Sequence, residues 1–490
     1  MATNYKGINI PMYVMLLLIA VSAAMSITSC VKEEEYLTGR IDDLAFSVDT
    51  LKFDTVFATM GSTTRSVKVY NRGSNTILLS AVTLRGGSAS RYRINVDGDT
   101  SLVAKDVEIA AGDSIFIFVR VNINPNSVAE PFLVEDAVVL SVAEKGKVEL
   151  PLIAYGRNAV YHTPTNSITA GGVRYNYSVI NCAQWDHTKP HIILGYAVVD
   201  EDSVLTLMPG AELYFAHDAC LWVYDGGTLR AEGNLWNPIT FTSVRHDGHY
   251  KNLPGQWQGI WLSAGSRDNT IKGAVIENAV IGLLVDTVVN SNPTLQISDT
   301  KVRNMTVAGI YGQGAHIEGE NLLVTNCGTA TVAFTLGGNY KIGNSTLANY
   351  WSYTSRRSPS IVMSNWYEDV YGNIQLRPLV RAEFNNCIIY GSMEEELLMD
   401  RNDMAAFDCQ FNSCLVRTRA DIAAMSANTI VNEDPLFSSA DDDDYRLRRK
   451  SPAREKADFN YVVLPHDLAN NLRCAPTSMG AYDFHDYIEK

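Results

Sequence analysis

The stretch Asn321-Leu322-Leu323-Val324-Thr325-Asn326 decides the fold, because the chain repeats variants of it at intervals. Upstream stand Gly273-Ala-Val-Ile276-Glu-Asn278 and Asp299-Thr-Lys-Val302-Arg-Asn304. Downstream follow Asn344-Ser-Thr-Leu347-Ala-Asn349, Asn386-Cys-Ile-Ile389-Tyr-Gly391 and Ser413-Cys-Leu-Val416-Arg-Thr418. Successive blocks are offset by 26, 22, 23, 42 and 27 residues, a recurrence that marks stacked supersecondary units with one shared core. The second and fourth positions are small or aliphatic, as in a strand with one face turned inward. Asn closes four of the blocks, where its amide tolerates a left-handed turn and can bond to the next unit, so a structural ladder is expected. Cys387 and Cys414 share the second position of successive blocks and are expected to point inward as free, buried thiols.

Working outward, residues 197–286 carry Leu205-Thr-Leu-Met-Pro-Gly-Ala-Glu-Leu-Tyr-Phe215, Gly227-Thr-Leu-Arg-Ala-Glu-Gly233, Pro238-Ile-Thr-Phe241 and Pro254-Gly-Gln-Trp-Gln-Gly-Ile260. This region resembles bacterial right-handed parallel β-helix repeat proteins. Asp434-Pro-Leu-Phe437, Asp444-Tyr-Arg-Leu447, Ser451-Pro-Ala453 and Met479-Gly-Ala-Tyr482 resemble the segment that closes such helices. The resemblance implies a right-handed parallel β-helix solenoid over 158–435, with an insertion at 351–380, and a C-terminal closing segment over 436–490. It specifies fold and leaves activity open, since many activities share one scaffold.

Between 41 and 157 the pattern is different. Short alternating strands such as Ser66-Val67-Lys68-Val69-Tyr70 and Ser114-Ile-Phe-Ile-Phe-Val119 are separated by turn clusters such as Asn71-Arg72-Gly73 and Ala111-Gly112-Asp113, which predicts an antiparallel β-sandwich and an all-β chain. The order of these features, from Leu51-Lys-Phe-Asp54 to Leu150–Gly156, resembles immunoglobulin-like ASH and Hydin-type domains. That resemblance implies a spacer or binding module.

Residues 1–29 form a signal peptide in this reading. Met12 to Met25 is an apolar run short for a membrane span, and Ile27-Thr28-Ser29-Cys30 resembles the lipobox of bacterial lipoproteins. The resemblance implies lipidation at Cys30, with residues 30–40 as a tether. Lys32-Glu33-Glu34-Glu35 resembles the export signal of lipoproteins shown on the outer face of the Gram-negative outer membrane; a plain solvated tether is the alternative. The expected location is the outer membrane, lipid-anchored and facing the exterior.

A net charge of −14 excludes nucleic acid as a partner, and any polyanionic ligand would need a local basic patch. The eight cysteines show no paired CxxC spacing for zinc, and no cofactor is expected. His246-Asp247-Gly248-His249 is read as a polar turn rather than a metal or acid-base site, since no third ligand is suitably spaced. Asp441 to Asp444 lacks the alternation of a calcium loop and is read as solvated.

The long interval between Asn349 and Gly391 holds the candidate ligand site: Trp351, Tyr353, Arg356, Arg357, Trp366, Tyr367 and Tyr371. Aromatic faces stack on sugars and guanidinium forks hold carboxylates, which suits an acidic glycan; aromatics packed on the outside of the helix are the other reading. No pair of carboxylates or base-plus-arginine cluster is evident, so a surface lipoprotein binding extracellular glycan without catalysis is the expectation. A polysaccharide lyase or glycoside hydrolase and a structural or adhesive envelope protein are the alternatives. Cys30→Ser is expected to move the protein from the membrane to the soluble fraction. Alanines at Lys32, Glu33, Glu34 and Glu35 are expected to abolish digestion by protease added to intact cells, and equal digestion of both forms would remove the argument for display.

Overall fold

The computed structural model describes residues 39–124, 131–245, 248–287 and 293–484. Cys30, Lys32 to Glu35, His246 and Asp247 lie outside them. The chain is all-β and divides into two compact units, with the boundary between Arg157 and Asn158.

The first unit is a two-sheet sandwich. One sheet orders Leu44–Phe46, Arg65–Asn71, Ser114–Val121 and Tyr92–Val96; the other orders Leu51–Phe57, Gly146–Arg157, Phe132–Val142, Ala81–Leu84 and Val103–Ala104. Pairing is antiparallel except between Leu51–Phe57 and Gly146–Arg157, which run parallel. Strict alternation builds the core: Val67, Val69, Ile117, Val119 and Val121 face Val138, Leu140, Leu150 and Leu152 in one cluster. The buried Asn71 amide donates to Asn75 O and Ile109 O at 2.7 and 3.0 Å, which holds the turn that the sequence marks at Asn71-Arg72-Gly73.

The second unit is the β-helix. Each regular coil lays strands on three faces. Ten described strands, from Asn166–Ala170 to Leu397–Asp400, form one face; beyond the opening hairpin they pair in parallel. The other two faces share a nineteen-stranded sheet, because strands such as Leu295–Met305 and His316–Cys327 run around the corner between them.

The repeat blocks stack in the register that their alignment gives: Ile276 with Val302, Val302 with Val324, Val324 with Leu347, Leu347 with Ile389, and Ile389 with Val416. Cys387 and Cys414 are fully buried free thiols, with Cys387 N 3.4 Å from Cys414 Sγ. Burial and the neighbouring thiol push the Cys387 thiol well above its usual range, so it stays protonated. Inside the coil, aromatics stack along the axis, as in Phe215 on Trp257 at 4.0 Å and Phe384 on Phe411 at 5.3 Å.

The ladder is wider than its sixth position. All six first-position residues, Gly273, Asp299, Asn321, Asn344, Asn386 and Ser413, have positive φ between 43° and 57° and form the corner between the two faces of the large sheet. Side-chain bonds link them: Asn321 Nδ2 donates to Asp299 Oδ1 at 2.7 Å and Asn386 Nδ2 to Asn344 Oδ1 at 3.2 Å. At the sixth position Asn278, Asn304 and Asn326 are left-handed, whereas Asn349 instead clamps the Cys327 backbone, accepting its N–H at 3.1 Å and donating to its carbonyl at 2.8 Å.

Two elements differ from expectation. The interval 351–380 is not one insertion, because Ile361–Ser364 is a regular strand of the ten-stranded face. It separates a loop at 350–360 from a hairpin of Trp366–Glu368 and Ile374–Leu376. The closing segment runs back along the flank of the solenoid. Phe437, Tyr445, Leu447, Met479 and Ala481 cover Leu323, Ala348, Ile388 and Leu415, which would otherwise face water. Polar contacts fix it, with Gly480 N donating to Asn386 O at 2.7 Å and Ala481 N to Thr346 Oγ1 at 3.0 Å.

Asn344 tests the corner, since its Nδ2 donates to Glu320 Oε1 at 2.6 Å and its Oδ1 accepts from Asn386. Asn344→Ala loses these bonds and a third to Tyr461 O at 3.3 Å, and leaves the left-handed backbone without the side-chain bonds that offset its strain, at a cost of about 2–3 kcal/mol. Asn344→Gly is expected to recover part of this loss, as measured by denaturant titration.

Candidate functional site

The residues singled out in the long interval divide by location. Trp351 is buried, donates from Nε1 to Thr354 Oγ1 at 3.0 Å, and packs on Tyr353 at 5.1 Å between centroids. Tyr353 is exposed and donates to Asn252 O at 2.6 Å, lining a polar cavity of about 350 Å³ with Asn304, Asn326, Ser352 and Asp443.

Arg356 is not available to a ligand. Its side chain is 2 % exposed and forks onto the fully buried Glu396, with Nη1 to Oε2 at 2.7 Å and Nη2 to Oε1 at 2.5 Å. Glu396 also accepts from Ser360 N, Ser360 Oγ and Met393 N at 2.8–2.9 Å. The pair ties the loop at 350–360 to the following coil, so the expected two-guanidinium clamp reduces to the exposed Arg357.

Trp366, Tyr367 and Tyr371 stand on the hairpin. Trp366 Nε1 donates to Asp400 Oδ1 at 3.0 Å, Arg377 lies over the Tyr367 ring at 5.4 Å, and Tyr371 at the tip is 86 % exposed. Trp351 and Arg356 are thus structural, while Tyr353, Arg357 and the hairpin aromatics remain accessible.

A second aromatic group lies on the ten-stranded face, and the sequence reading passed over it. In Cys220-Leu221-Trp222-Val223 and Gly259-Ile260-Trp261-Leu262 the aliphatic neighbours point inward and are buried, so both tryptophans must point outward. Register places Trp222 beside Trp261, then Leu284, then Tyr311. The two indoles stack at 4.8 Å with a 5° interplanar angle. Tyr196 and Tyr224 meet Trp222 edge-on at 6.4 and 5.5 Å, and Tyr175 meets Tyr196 at 5.4 Å. The alternation was the available signal.

The indole N–H groups are fixed by their neighbours. Trp222 Nε1 donates to Ser263 Oγ at 2.5 Å and Trp261 Nε1 to Asp286 Oδ2 at 2.7 Å. Partial burial raises the Asp286 carboxyl, opposed by that indole bond. Asp218 accepts from Gln258 Nε2 at 3.1 Å, and exposed Asp225 follows Tyr224. The row presents tryptophan and tyrosine edges beside carboxylates, because stacking covers the facing sides of the two indoles. Among the described residues no group of three or more His, Cys, Asp or Glu is placed to hold a metal ion.

No family model and no curated protein sequence matches the chain. Among solved structures it is similar to the ASH/PapD-like domain 7 of human CEP192, at 10% identity over 24% of this chain and 87% of that one, with a TM-score of 0.17. It is similar to the A-module of the Azotobacter vinelandii mannuronan C-5 epimerase AlgE6, at 8% identity over 53% of this chain and 90% of that one, with a TM-score of 0.25. It is also similar to the catalytic unit of a GH87 α-1,3-glucanase from Streptomyces thermodiastaticus, at 10% identity over 72% and 78% of the two chains, with a TM-score of 0.21.

Arg356→Ala leaves the Glu396 carboxylate buried and unpaired and is expected to cost about 3–5 kcal/mol. Arg357→Ala should leave stability within about 0.5 kcal/mol of the parent, since its side chain is exposed. Comparing the two in a thermal melt checks the division between strut and surface.

Proposed function

We propose that this chain is a lipoprotein anchored through Cys30 to the outer membrane, facing the cell exterior, whose β-helix binds glycan without catalysis. The observation that carries the binding role is the outward row of Tyr196, Trp222, Tyr224, Trp261 and Tyr311. Tyr224 is exposed and the other four are half-buried, and a contiguous apolar strip rimmed by polar groups marks a contact site. Polar neighbours fix both indoles, so little side-chain entropy is lost when a ligand docks.

The charge of the rim narrows the ligand. Asp286, Asp225 and Asp218 would repel uronate or sulfate groups, whereas hydroxyls can donate to them, so the row suits a neutral glycan. One observation favours a glycoside hydrolase instead: a carboxyl held above its usual range beside a sugar platform is what a general acid requires.

Affinity electrophoresis in gels containing neutral β-glucan or mannan separates these readings. The protein is expected to be retarded, the pair Trp222→Ala and Trp261→Ala should weaken retention at least about tenfold, and no new reducing ends should form. Retention unchanged in the double variant would sink the proposal, and reducing ends lost on Asp286→Asn would establish the hydrolase.

A further inference from the structure

The sandwich carries its own surface feature, on the solvent face of the sheet built from Arg65–Asn71, Ser114–Val121 and Tyr92–Val96. Phe116 and Phe118 project from the middle strand, each 42% exposed, with ring centroids 5.9 Å apart. Lys68 lies over the Phe116 ring at 4.8 Å. Arg93 and Arg120 are directly opposed across the next pairing. Like charges directly opposite destabilise a sheet, and among the described residues neither guanidinium has an acidic partner. Arg93 Nη1 donates to Ser90 O and Tyr92 O at 2.6 and 2.7 Å, so that side chain is held in place with donors to spare.

Of these groups Phe118, Arg93 and Arg120 line a groove of about 480 Å³, together with Thr64, Ile94, Asn95 and Thr100. No carboxylate is among its lining residues. Nearby Asp99 is turned into its own loop, accepting the Ser101 N–H at 2.8 Å. In a chain of net charge −14 this is the local basic patch that an anionic ligand would require.

We infer that this face binds a carboxylate-bearing sugar, with the pyranose ring on Phe118 and its carboxylate between Arg93 and Arg120. Two planar guanidinium forks match a planar carboxylate, and the hydroxyls and amide of Thr64, Thr100 and Asn95 match ring hydroxyls. Ser114–Val121 is bonded along both edges, whereas Tyr92–Val96 is the edge strand of its sheet, so the test includes an acidic peptide. The site is separate from the aromatic row of the β-helix and does not depend on it.

Isothermal titration of the full-length protein in detergent with a galacturonate hexamer tests the assignment. Binding is expected to weaken with salt, to vanish with the methyl-esterified hexamer, and to fall at least tenfold in Arg120→Ala and in Phe118→Ala. Arg120→Lys, which keeps the charge but loses the fork, should bind between Arg120→Ala and the parent. The pair Trp222→Ala and Trp261→Ala should bind the hexamer as the parent does. Hexamer affinity unchanged in Arg120→Ala, loss of binding only in the tryptophan pair, or tighter binding of a sulfated hexamer or an acidic peptide would each overturn the inference.

Discussion

A parallel solenoid can stack only if each coil turns its corner at the same place, because neighbouring strands lie about 4.8 Å apart and a one-residue slip turns every side chain to the opposite face. From Gly273 onward a single left-handed residue makes the corner between the two faces of the large sheet, where earlier coils use longer turns, as between Val204–Leu207 and Glu212–Phe215. An ordinary side chain there costs about 1–2 kcal/mol, which confines the position to Gly, Asn, Asp and Ser. The polar members also bond along the stack. Asn386 still reaches Asn344 although 42 residues separate them, so the excursions in that interval begin and end without disturbing the register. From Gly273 onward the inward positions and the buried thiols depend on that corner being kept.

This dependence explains what could be read in the sequence. Five strand registers followed from the block alignment because the inward second and fourth positions tolerate little but small and aliphatic residues. The first-position corner was harder to see, since Gly, Asp, Asn and Ser share a conformation there rather than an identity. Leu323, Ile388 and Leu415 at outward positions did carry a signal that something must cover them. What covers them lies at Phe437 to Ala481, and a pairing that distant leaves no local pattern.

The candidate site was less legible for a related reason. Arg356 and Arg357 are equivalent as neighbours in sequence, but one meets a carboxylate 40 residues away and the other meets water. Glu396 ends the run Glu394-Glu395-Glu396, which has the composition of a solvated charge cluster, yet its side chain is fully buried. Conversely Trp222 and Trp261 lie inside apolar strings that look like core, and only the period of two separates them from it. A composition-led search therefore favours the long interval and overlooks the regular coils.

Charge divides the two aromatic surfaces of the chain. On the β-helix the indoles sit beside Asp286, Asp225 and Asp218; on the sandwich the phenylalanines sit beside Lys68, Arg93 and Arg120. Aromatic area supplies attraction that is nearly indifferent to the ligand's charge, whereas the rim decides which charge can approach. At an exposed rim the opposing charge is screened over about 8 Å at physiological ionic strength, so each surface is governed by the few groups beside it and hardly by the net −14 of the whole. On the proposed reading, discrimination of this kind needs no catalytic group: the two surfaces differ in the charges that flank a similar aromatic contact.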